Sequence, residues 1–295
     1  MSRRRKRSLL SRGPLAVSAG IVVLGVILGL VLASGRFRSE QSPPTSSAPV
    51  RPAPLAPRAT PVPAIPAPER PSRPEPAGRV AIIFDDAGGS LEDLEGIIAL
   101  GRPVTVAVLP GLRYSKEVAA RAQAAGLEVF LHLPLEPEDP AKAMGPGGIA
   151  VSMSDAEIEA SVRESLAAVP GVVGVNNHMG SRGTADPRVM RAVLRVVREQ
   201  NLLFVDSVTS PRSIAGVLAS EMRIPSASRE VFLDNEDNAE AIRAQLRRAL
   251  TLARRKGRAV AIGHASRLTA QVLAEMLGEF DRAGIALVPA SALAR

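Results

Sequence analysis

The chain contains three histidines, and each one closes a short apolar run. His132 ends LEVFLH, His178 ends VGVNNH and His264 ends AVAIGH, while an acidic pair, Asp85 and Asp86, ends VAIIFDD and Asp206 ends LLFVD. Carboxylate oxygen and neutral imidazole nitrogen together suit a hard or borderline divalent cation, Zn2+ first among them, and a catalytic site leaves positions open for water and substrate. Two adjacent carboxylates allow a division of labour in which one binds the metal and the other accepts a proton. Taken singly, a histidine at a strand end is more often a hydrogen-bonded structural residue, and an aspartate there often caps the next helix. Three histidines scattered at random would not all follow apolar strands, so the conjunction points to one shared metal or acid–base site.

Such residues meet if the strands are parallel, because ligands then bind at the strands' carboxyl ends. Short β-branched runs predict strands near 80–84, 104–109, 128–132, 174–177, 202–206, 231–234, 259–263 and 286–289. Amphipathic stretches between them predict helices near 90–99, 115–125, 154–168, 188–199, 213–221, 238–256 and 270–282. Ser154 with Glu157 forms a capping box, Asp186 before Pro187 is an N-cap followed by an N1 proline, and Gly126, Gly257 and Gly284 stand where helices should stop. The fold class is therefore α/β with a mostly parallel sheet, either a closed or irregular barrel or an open doubly wound sheet. With no Trp and one Tyr, its core is Leu, Val, Ile and Ala.

The segment before this pattern is of a different kind. Residues 1–35 place a basic cluster (Arg3, Arg4, Arg5, Lys6, Arg7 and Arg12) ahead of the uncharged run 15–33. That run is long enough to cross a bilayer as a helix, and longer than the apolar region of a cleaved signal peptide. The positive-inside rule then keeps the N-terminus cytoplasmic and sets the remainder beyond the inner membrane, in the periplasm, on a single-pass anchor. Residues 36–78 are rich in Pro, Ala, Ser and Arg; from 35 to 78 they hold 13 of the 25 prolines and read as a disordered spacer. Residues 79–295 form the folded domain.

This division changes what the charge means. Setting aside the six basic residues of the N-terminus and the six Arg and three Glu of the spacer leaves 25 basic and 26 acidic residues. A nucleic-acid partner, which needs a basic face on the folded part, is excluded. Without Cys there is no disulfide or thiolate metal site. No phosphate-binding Gly-rich loop and no G-x-S-x-G elbow is present, which argues against a kinase and a serine nucleophile.

The stretches IIFDDAG (82–88), FLHLPLEP (130–137), GVNNHMGS (174–181), FVDSVTS (204–210), REVFLDN (229–235) and AIGHASRLT (261–269) together resemble the divergent polysaccharide deacetylases, and they span nearly all of 79–291. The resemblance implies an irregular (β/α) barrel of the deacetylase type and a metal-dependent hydrolase that removes N- or O-acetyl groups from a cell-envelope polysaccharide. It implies Asp85 as general base, Asp86 and His132 as metal ligands and His264 as general acid. Ordinary deacetylases carry a second ligand His four residues after the first, and here that position is Glu136. Either His178 or Glu136 supplies the missing donor, with His178 favoured. Asn177, Ser181, Asp206, Ser207, Thr209 and Asp234 are candidates to line the sugar pocket, although loop capping accounts for such residues equally well. A glycan-binding or scaffold protein that keeps the fold without the chemistry is the alternative.

Overall fold

The computed structural model describes residues 76–295. The anchor expected at 15–33 and the spacer up to residue 75 lie outside the described residues. Among the described residues no helix is long and apolar enough to cross a membrane.

Strands and helices alternate along the chain: β1 (Gly78–Ala87), α1 (Leu91–Ile98), β2 (Thr105–Val108), α2 (Ser115–Ala124), β3 (Glu128–Leu135), α3 (Asp155–Ala168), β4 (Gly174–Met179), α4 (Pro187–Glu199), β5 (Leu203–Asp206), α5 (Ala215–Glu221), β6 (Ser226–Ser228), β7 (Val231–Phe232), α6 (Ala239–Lys256), β8 (Arg258–His264), α7 (Arg267–Arg282) and β9 (Ile285–Val288). The local signals act as their chemistry requires. Ser154 and Glu157 close the capping box that opens α3, the Asp186 carboxylate accepts from Arg188 N and Val189 N at the start of α4, and Gly257 ends α6 with a left-handed φ of 78°.

All strand pairs are parallel, in the order β6-β5-β4-β3-β2-β1-β8-β7, with β9 beside the first half of β1. The result is a curled parallel sheet wrapped by helices, consistent with a deacetylase-type barrel. Its two ends are parts of one extended segment. Ser226–Ser228 pairs with β5, and Val231–Phe232 pairs with β8. Between them Arg229 N donates to Asp206 O and Glu230 N to Val260 O, so this short segment changes partner from one edge of the sheet to the other.

Both faces of the sheet are buried, which is why its strands read as near-continuous apolar runs. The outer face (Val80, Ile82 and Phe84 on β1, for example) packs under the helices. The inner face carries a smaller cluster that includes Ala81, Ile83, Phe130, Val205, Val260 and Ile262. Gly174 is part of this filling, since a Cβ there would stand 2.7 Å from the Phe130 ring and 2.9 Å from Leu203 Cδ1. Followed by steps of two toward the carboxyl ends, the inner face becomes polar: Asp85 after Ile83, His132 after Phe130, Asn176 and His178 after Gly174, Ser207 after Val205, and His264 after Ile262. The site continues the inner core by one or two residues.

Candidate metal and acid–base site

Pairing register brings these side chains together. Asp85 lies opposite His264 across β1 and β8, and His132 lies opposite Asn176 across β3 and β4. Strict alternation would turn Asp86 away from Asp85, but the β1–β2 register slips between Phe84 and Ala87, and Asp86 takes a left-handed φ of 61°. The bulge re-aims its carboxylate toward the histidines, at the cost of a backbone conformation that a non-glycine residue rarely adopts. Two more non-glycine residues at the rim, Met179 after His178 and Val208 after Ser207, have φ of 51° and 48°. For a β-branched valine this is a strained state, of the kind that clusters at functional sites.

The strand ends enclose a cleft of about 630 Å³ lined by Asp85, Asp86, His132, His178, Asp234 and His264, among others. Asp86 Oδ1 lies 3.1 Å from His132 Nε2 and 2.8 Å from His178 Nδ1, and the two ring nitrogens are 3.3 Å apart. Neither contact to Asp86 Oδ1 has hydrogen-bond geometry, so this buried oxygen has no hydrogen-bond partner. Three donor atoms converge within 4.8 Å without satisfying that oxygen. One carboxylate and two imidazoles fit a borderline divalent cation, and a cation would supply the contact that Asp86 Oδ1 lacks.

On the other wall, His264 Nδ1 is 3.1 Å from Asp234 Oδ1, His264 N donates to Asp234 Oδ2 at 2.7 Å, and Thr269 Oγ1 donates to the same oxygen. His264 Nε2 is left 3.8 Å from Asp86 Oδ2, facing the cleft. Behind the histidines, Asn176 is buried and touches Asp85, His132 and Ser207.

A family model described as divergent polysaccharide deacetylase matches residues 82–294. The chain belongs to that family. An uncharacterized Escherichia coli protein, YibQ, is 37% identical over 222 residues, covering 75% of this chain and 69% of its own. An uncharacterized Haemophilus influenzae protein is 34% identical over 195 residues, covering 66% and 69%. The crystal structure of an uncharacterized protein from Agrobacterium tumefaciens C58 superposes with a TM-score of 0.70 at 27% identity, covering 76% of this chain and 92% of that one.

In this member of the family, Glu136 is not among the converging donors. Its Oε2 accepts from Val151 N at 2.5 Å and its Oε1 from Arg182 Nη1 at 2.7 Å, so the carboxylate clasps the loop after β3 to the turn after β4. The candidates for the sugar pocket divide. Asn177, Ser181, Ser207, Thr209 and Asp234 line the cleft, but Asp206 does not. The Asp206 carboxylate accepts from Val208 N, Ser213 Oγ and Gly216 N, which makes it the organiser of its own loop and a correction to the pocket expected from its strand-end position. Asp234, while lining the cleft, also bonds to His264. Asn177 spends its amide on Ser207 N and Met179 O, Thr209 donates to Met179 O, and Ser181 accepts from Glu138 N, so these three fix the shape of the wall.

Asn176, Arg229 and Phe232, absent from the sequence-based set, belong to the site. Asn176 could have been found from its step of two to His178, which places it, rather than Asn177, on the inner face. Arg229 donates to Ser207 O and Val208 O and lies 4.9 Å over the Phe232 ring, which itself meets His264 edge-on. Arg229 thus braces the strained Val208 turn. Its signal in the sequence is that it opens the stretch REVFLDN (229–235); strand periodicity does not mark it, because the segment that carries it changes partner strand there.

Electrostatics separate the groups. Burial pushes the Asp85 carboxyl up to about 6, against the opposing pull of His132 and the Asn176 hydrogen bond. Burial works the same way on Asp86, but the contacts and charges of His132 and His178 more than offset it and hold that carboxyl well below the usual range. Burial opposes protonation of His132, yet Asp85 and Asp86 outweigh it and raise its pKa. The hydrogen bond to Asp234 pushes His264 up to about 9 against partial desolvation. One carboxylate poised near neutrality and one imidazole kept protonated are what general base and general acid need.

Proposed function

We propose that this divergent deacetylase is a metal-dependent hydrolase that removes N- or O-acetyl groups from a cell-envelope polysaccharide. The observation that carries the reading is the convergence of Asp86, His132 and His178, with Asp85 Oδ2 3.5 Å from His132 Nε2 and His264 Nε2 3.8 Å from Asp86 Oδ2. Asp86, His132 and His178 would hold the divalent cation, with Zn2+ the best match to two imidazoles and a carboxylate. Such a cation polarises an acyl carbonyl and makes water more acidic. Asp85, buried and ionised near neutral pH, accepts the proton of the attacking water. His264, held protonated by Asp234 and with Nε2 facing the cleft, donates a proton to the departing amine or alkoxide. Asn176 keeps Asp85 and His132 in place, and Arg229 with Asn177 fixes the wall on which the sugar would rest.

The basic and apolar composition of residues 1–33 supports a membrane anchor, and the Pro-rich stretch supports a spacer that lets the domain reach a glycan beyond the inner membrane. Acetate release from acetylated envelope glycans by the purified protein, with and without added Zn2+, tests the reading. Metal-dependent release supports it. No release from any such glycan by metal-loaded protein favours the scaffold alternative.

A further inference from the structure

We infer that Asn176 is a positioning residue that decides which nitrogen of His132 is offered to the cation and at the same time holds the base Asp85. The inference rests on the proposed role of Asp86, His132 and His178 as a cation site.

Asn176 is fully buried on β4, opposite His132 in the strand register. Its amide has two N–H donors and one carbonyl acceptor, and all three are used. Nδ2 lies 2.8 Å from Asp85 Oδ1 and 3.2 Å from Ser207 Oγ. An ionised carboxylate can only accept, so the nitrogen end of the amide must face Asp85. The carbonyl Oδ1 is then turned to His132 Nδ1, 3.0 Å away. A carbonyl also can only accept, which puts the ring proton on Nδ1. A neutral imidazole carries one N–H, so Nε2 keeps its lone pair. Nε2 is the atom 3.1 Å from Asp86 Oδ1 and 3.3 Å from His178 Nδ1. The tautomer that a metal ligand requires is therefore set by the group that also anchors the base. Partners of this kind behind ligating histidines are generally worth about 10–100-fold in metal affinity.

The neighbouring Asn177 serves as an internal contrast. Its amide accepts from Ser207 N and donates to Met179 O, and it hydrogen-bonds to neither His132 nor Asp85. Ser207 joins the two: its Oγ accepts from Asn176 and its N–H donates to Asn177.

With only three histidines in the chain, ¹⁵N-histidine labelling gives a readable ring spectrum. In metal-free protein, at a pH where the ring is neutral, His132 is expected as the Nδ1–H tautomer. Asn176→Leu, similar in shape but without polar atoms, is expected to mix the tautomers and to weaken Zn2+ binding by about 10–100-fold. Asn176→Asp keeps an acceptor for His132 Nδ1–H but sets a second carboxylate against Asp85, and the pair shares a proton. It is expected to retain the tautomer and Zn2+ affinity while acetate release collapses. A merely structural residue would move both readouts together. An Nε2–H tautomer in the wild-type protein overturns the inference. So does unchanged tautomer and affinity in Asn176→Leu. If Asn176→Leu fails to fold, the Asn176→Asp split decides, and loss of Zn2+ affinity together with activity counts against the inference. If the wild-type protein binds no Zn2+, the proposed function fails, while the tautomer measurement still decides what Asn176 does.

Discussion

The two walls of the cleft use the same side chain for opposite ends. On the β3–β4 wall, His132 and His178 are 3% and 15% exposed, and their ring nitrogens converge with an Asp86 oxygen that nothing satisfies. On the β7–β8 wall, His264 is 46% exposed and already paired with Asp234, whose carboxylate is fully engaged by His264 and Thr269. The first arrangement is incomplete and suits a ligand that brings positive charge. The second is complete and suits a group that must keep its proton until substrate arrives. The difference lies in the partner: a shared, unsatisfied carboxylate asks for a cation, and a private one makes an imidazolium.

If the walls are so divided, substitutions should separate metal binding from proton transfer. Asp86→Ala should have the largest effect, taking both bound Zn2+ and acetate release to background, as read by metal analysis and a release assay. Asp85→Asn should lower kcat by about 10²- to 10⁴-fold while leaving Zn2+ bound, because the proposed role it removes is a proton acceptor's and not a ligand's. Loss of Zn2+ in that variant would merge the two roles.

Asp234→Asn should sharpen the contrast further. As the proposed acid His264 must be protonated, so activity should be present below its pKa and be lost as pH rises through about 9. Removing the hydrogen bond that contributes most to the shift should draw this alkaline limb down toward an ordinary imidazole value of about 6.5. A pH profile of kcat/KM reads it, with metal content unchanged. The smallest effect on the site should come from Glu136→Ala. It should cost about 1–3 kcal/mol of stability in denaturant unfolding, through the lost bonds to Val151 N and Arg182, and leave Zn2+ affinity as it was.

Most of the scaffold was legible because its strands alternate with well-capped helices. β6 was not, since Ser-Ala-Ser has no apolar alternation and forms a strand only through its pairing with β5. At the site, a strand-end position told that Asp206 would be near the rim but not which way its carboxylate would turn. It turned to the backbone of its own loop. The β1 bulge that brings Asp86 alongside Asp85 also lies outside what a period of two can foresee, as does the fate of Glu136, which depends on Arg182 arriving from another strand end. Asn176 was within reach of that period and was obscured by its neighbour.

Whether Asp86, His132 and His178 hold a cation is tested most directly by calorimetric titration of chelator-stripped protein with Zn2+. One tight equivalent in the wild-type protein, abolished by Asp86→Ala and retained by Glu136→Ala, is the predicted result. No binding, or binding that survives Asp86→Ala and is lost in Glu136→Ala, would contradict it.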